Sequence, residues 1–116
     1  MEYSTAHRLA AEIRQSEEYR TYHELKDEVM SDATTAALIA EYRKLQVKLS
    51  MASMGGAQAD ETDMQRFQGI NSVLFMNPQV QQYMLAEMRL QQAVSDIFRI
   101  VAQAADLDMN LPGLEG

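Results

Sequence analysis

Few side chains in this sequence have a type and spacing that could do chemistry. His7 and His23 are the two histidines. Neither has a His or Cys three or four positions away, the separation that puts two ligands on one helix face. Both read as solvated helix positions rather than metal ligands. Asp60, Glu61 and Asp63 bring carboxylates together. A calcium loop would add a Gly at a fixed offset and a closing bidentate Glu, and neither is present. Helix capping explains all three, because carboxylates are favoured beside the orphan N–H groups of a first turn. Gly55-Gly56 lacks the Lys-Ser/Thr of a phosphate loop. A seryl nucleophile would need a base, and only the two histidines could serve. The chain has no cysteine, so thiolate ligands, disulfides and a Cys nucleophile are excluded within it. No catalytic residue, cofactor-binding residue or metal ligand is assigned, no cofactor is expected, and the chain reads as a non-enzyme.

Charge narrows the partners. The formal net charge is −7. Arg43, Lys44 and Lys48 form the one basic cluster, on a helix face. A nucleic-acid stripe would carry more positive charge with interleaved aromatics. Direct binding to nucleic acid is not expected, and no apolar run reaches the roughly 18 residues of a membrane span. The first residues mix acidic and basic side chains without an apolar leader segment, so a cytoplasmic location is expected.

What must position these residues is helix. Ala, Leu, Met, Gln and Glu abound, with Pro 2 and Gly 5. The longest element begins at Asn77-Pro78, a capping residue followed by a residue whose φ is already helical. Val80, Tyr83, Met84, Leu90, Val94, Ile97, Phe98 and Val101 then recur at helical spacing. That helix, ending near Ala105, would run about 40 Å. Glu87 falls in the middle of its apolar stripe. It either reaches water or pairs with a neighbouring helix and fixes register.

Upstream, Ser4 is the expected N-cap of a first helix to Gln15, and Ser16 marks a break or a bend before a second. Ser31-Asp32 opens a third helix over 33–54. Its apolar stripe is Leu38, Tyr42, Leu45, Leu49 and Ala52, flanked by Ile39 and Gln46. Gly55-Gly56 closes that helix through a left-handed C-cap. Asp60 caps a fourth, with Met64, Phe67, Ile70 and Leu74 turned one way. The spacing predicts an all-α fold of five helices: a long antiparallel hairpin with shorter N-terminal helices packed along it. Residues 1–106 are read as one helical domain and 107–116 as a flexible tail.

Three segments, in this order, resemble the YlbF/YmcA family: Ser16-Glu17-Glu18-Tyr19 with Tyr22; Leu38-Ile39 with Tyr42 and Leu45-Gln46; and Asn77-Pro78 with Val80, Tyr83, Ala86-Glu87, Leu90 and Asp96-Ile97. The resemblance covers about residues 3 to 105. It implies a small cytoplasmic all-helical bacterial protein without known enzymatic activity. The best understood members form a complex that modulates an endoribonuclease, and thereby competence, sporulation and biofilm development. Cluster-bearing members of that complex use cysteines for iron–sulfur ligation, and this chain has none. The expected function is therefore a regulatory adaptor working through helix–helix contacts, with a self-assembling helical scaffold as the alternative. A homo-oligomer, dimer or higher, is expected, with a protein partner from RNA processing. The interface candidates are Leu38, Tyr42, Leu45 and Leu49 on the third helix, and Val80, Tyr83, Glu87, Leu90, Val94, Ile97 and Val101 on the fifth.

Overall fold

Single side-chain oxygens set most of the helix boundaries. In the computed structural model, which describes residues 1–107, five helices follow one another: α1 (Ser4–Gln15), α2 (Glu17–Met30), α3 (Ala33–Met54), α4 (Glu61–Phe75) and α5 (Pro78–Ala104). There is no strand among the described residues. Ser16 lies between α1 and α2 with an extended backbone, φ −71° and ψ 156°. Its hydroxyl donates to the Ile13 carbonyl at 2.6 Å and accepts from the Tyr19 N–H at 3.2 Å. One hydroxyl thus closes one helix and caps the next, and the junction is a break without Gly or Pro.

Asp32 caps α3 by accepting from the Thr35 N–H at 3.2 Å. Asp60 caps α4 by accepting from the Thr62 and Asp63 N–H groups at 2.8 and 3.4 Å. Asn77 accepts from the Gln79 N–H at 3.0 Å at the head of α5. The expectation at Ser4 fails. Tyr3 holds the N-cap position and no side chain caps it, because Ser4 already lies inside the first turn.

Glycine is required at one boundary. Gly56 has φ 74°, and its N–H reaches the Ser53 carbonyl while the Ala57 N–H reaches that of Ala52. This Schellman pattern satisfies two orphan carbonyls of α3. Asp106 repeats it at the end of α5 with φ 55°, the Leu107 N–H bonding to the Ala102 carbonyl. Residues 108–116, most of the expected tail, lie outside the described residues.

The chain divides into two units, and the division falls inside α2 and inside α5. The unit from Lys26 to Gln82 holds α3, α4 and the adjoining ends of α2 and α5. Its core is Val29, Ile39, Leu45, Leu74 and Val80. Here α3 and α4 pack as an antiparallel pair: Glu41 and Tyr42 meet Arg66 and Phe67, and Lys48, about two turns further along α3, meets Asp63, nearer the start of α4. Gln79 donates to Glu28 at 2.6 Å, tying the start of α5 to the end of α2.

Two sequence expectations need correction in this unit. Ile39, placed on the flank of the α3 stripe, is 1% exposed, whereas Leu38 is half-buried. Helix α3 turns apolar residues in more than one direction, so a stripe drawn on one arc misses part of the core. Met64, placed on the inner face of α4, is 43% exposed. Phe67, Ile70 and Leu74 are half-buried or buried, as that face requires.

The other unit joins Met1–Leu25 to the chain from Tyr83 onward. Its buried side chains are Tyr83, Ala86 and Ser95. Helix α1 contributes none. Leu9, Ala10 and Ile13 are half-buried, so α1 covers α5 without being enclosed by it.

Candidate interaction surface

The α3–α4 pair is built from residues of three kinds. Tyr42 stacks on Phe67 with ring centroids 4.9 Å apart and 16° between planes, an arrangement that adds attraction beyond burial. Ion pairs edge the seam. The Arg66 Nε lies 2.6 Å from Glu41 Oε1, and the Lys48 Nζ lies 2.8 Å from Asp63 Oδ2. The hydrogen bond to Asp63, and then its charge, raise the Lys48 pKa above the usual lysine value. Exposed pairs of this kind are screened by solvent, so they orient the helices more than they hold them.

Opposite the inner stripe, α3 carries a second one. The inner ladder 38, 42, 45, 49, 52 rises by four, three, four and three positions. Ala40, Lys44, Val47, Met51 and Met54 repeat that rhythm two positions on. Two positions are roughly 200° round a helix, so this ladder lies on the far side. Val47 is 58% exposed, Met51 67% and Met54 83%. These three side chains make a row of exposed apolar surface along α3.

In the other unit, Tyr22 stacks on Tyr83, centroids 5.6 Å apart and 24° between planes. His23 sits against Tyr19 and Tyr22, at 4.2 and 5.0 Å. It is thus a packing residue on α2, while His7 is exposed on α1. Among the described residues no group of three or more His, Cys, Asp or Glu could hold a metal ion.

A groove of 190 Å³ runs between α1 and α5. Leu9 and Ile13 form one wall, Leu90, Val94 and Ile97 the other, and Glu12 and Glu18 stand among the lining residues. A neighbouring hollow of 210 Å³ shares Glu18 and adds Glu17 and Arg89.

The eleven interface candidates are therefore placed unequally. Val80 and Tyr83, 0% and 1% exposed, and Leu45 at 6% are covered by the chain itself. Leu38, Tyr42 and Leu49 are half-buried in the α3–α4 unit. Leu90, Val94 and Ile97 share the groove, and Glu87 is half-buried on the same helix. Val101 is 56% exposed.

This chain matches the model of one protein family, described as control of competence regulator ComK, YlbF/YmcA, over residues 3–105. The chain belongs to the YlbF/YmcA family. The expected resemblance and its span are both met. A UPF0342 protein of Halothermothrix orenii is 31% identical over 99 residues, covering 85% of this chain and 84% of that one. A UPF0342 protein of Caldicellulosiruptor saccharolyticus is 26% identical over 112 residues, covering 97% and 93%. Among solved structures, a Bacillus stearothermophilus DUF964 protein of unknown function superposes with a TM-score of 0.73. It is 20% identical and covers 90% of this chain and 91% of its own. That likeness concerns the fold, which is all-helical as the spacing predicts.

In this YlbF/YmcA chain, the residues missing from the sequence-based candidate set are Val47, Met51 and Met54. Their signal was present, as the second four-three ladder. It was hidden because the apolar residues of α3 surround the helix and leave no single arc marked as inner. No helix among the described residues is long and apolar enough to cross a membrane.

Proposed function

We propose that this chain is a non-catalytic regulatory adaptor that works through helix–helix protein contacts. The observation that carries the reading is the exposed outer ladder of α3, a row of large apolar side chains on a well-formed helix. Membership of a family described by control of a competence regulator supports a regulatory role. The proposed partners are a further copy of the chain, in a dimer or larger homo-oligomer, and a protein of the RNA-processing machinery. The proposed location is the cytoplasm, and residues 1–106 are proposed to fold as one domain.

The test is made in the native cell. Proteins that co-purify with the tagged chain are identified, and transcript ends are mapped in deletion and parent strains. Altered ends at particular transcripts, with a processing protein among the co-purified ones, are the expected result. Identical ends in the two strains would remove RNA processing and leave a self-assembling helical scaffold.

A further inference from the structure

Two surfaces of this chain have complementary chemistry. The α1–α5 groove has an apolar floor, with Leu9, Ile13, Leu90, Val94 and Ile97, and the exposed carboxylates Glu12 and Glu18 beside it. The outer ladder of α3 is apolar at Val47, Met51 and Met54, with the exposed ammonium of Lys44 in the same row. A groove of that kind takes an apolar helix face flanked by positive charge, and the α3 ladder is such a face. Lys48, one position beyond Val47, adds positive charge to the same flank while paired with Asp63.

We propose that the α3 outer ladder of one copy docks into the α1–α5 groove of a second copy, with Lys44 facing Glu12 and Glu18. The inference rests on the proposed self-association and names the surfaces that make it. Both surfaces are on every copy, so two copies related by a two-fold axis use each surface once and the assembly closes. Without that axis the same contact repeats from copy to copy and builds an open chain. Docking covers the methionines of the ladder, whose flexible thioether side chains adapt to an uneven groove.

The charge pair supplies the test. Lys44→Glu and Glu18→Lys each place like charges across the contact, on residues exposed in the monomer, so neither variant threatens the fold. Each alone should raise the dissociation constant about tenfold in sedimentation equilibrium. An equimolar mixture of the two should associate more strongly than either variant alone, because position 44 of each kind of copy again meets an opposite charge at position 18 of the other. Met51→Glu should weaken association by more than either charge reversal, while its helical circular dichroism stays that of the unaltered chain. Unaltered self-association in the single variants, or a mixture no stronger than its parts, overturns the proposed surfaces while leaving self-association standing. An unaltered chain that is monomeric at micromolar concentration overturns both, and assigns the groove to a different partner.

Discussion

Gly69 is the residue with the least local reason to be what it is. It lies inside α4, exposed, and a Cβ built there meets nothing within 4 Å. Glycine in a helix interior costs about 0.5–1 kcal/mol relative to alanine, through the freedom the chain loses on folding. Gly69→Ala should therefore stabilise the chain by about that amount and raise its melting temperature by a few degrees. A thermal melt that moves downward would show that something in solution approaches this backbone closely. Asp32 gives a second measurement at the same scale. Hydrogen bonds from the Thr35 hydroxyl and then the Thr35 N–H hold its carboxyl below the usual aspartate range. The folded state thus favours the carboxylate. Its contribution is complete above the unfolded value, near pH 4, and is lost as pH falls through the lowered folded value. Asp32→Asn keeps a capping oxygen but cannot titrate, so stability against urea should fall less steeply as pH drops below about 4 in the variant. Parallel curves would mean that other groups dominate the acid limb. These caps were legible in the sequence because capping is chemistry within four residues. Asp60 and Asn77 act as their types and positions predict. Ser4 does not, since choosing between adjacent starts depends on how the chain enters the turn.

Among the elements, α1 and α3 stand at opposite ends of a scale. Helix α3 has buried residues on its own inner side, a stacked Tyr42 and two ion pairs along its seam with α4. Helix α1 has no buried residue and no side chain at its N-cap. Its amides open with less apolar surface to expose. Hydrogen exchange should therefore reach completion over residues 4–15 well before residues 38–49 of α3. Equal protection would place α1 in the most stable part of the molecule and require cover that the monomer does not provide. The helices themselves were legible from spacing, and so was the boundary at Ser16, though not whether it was a break or a bend. The outer ladder was not, because a helix with apolar residues on every side does not announce which arc faces inward. That is decided by where α4 lies, and the ion pairs with Arg66 and Asp63 fix it only once the pair has formed. Ile39 shows the same limit from the other side, taken as a flank and found in the core.

For the whole molecule the formal charge of −7 is the dominant long-range property. It acts against a polyanion at every approach, and on α3 Lys48 is held in an ion pair while Lys44 is exposed. The purified chain should leave RNA unshifted in a gel at physiological salt. A shift that fades with added salt would contradict this. The same totals hold a consequence of a different kind. With no cysteine present, thioether sulfurs are the most readily oxidised groups of the chain, and the outer ladder of α3 places two of them, Met51 and Met54, in water. Peroxide adds one oxygen to each sulfur and leaves water, turning an apolar row into a row of sulfoxide dipoles. Peptide mass mapping after brief peroxide treatment should find Met51 and Met54 converted ahead of the half-buried Met30 and Met84, so the surface best suited to contact is also one that oxidative stress erases early.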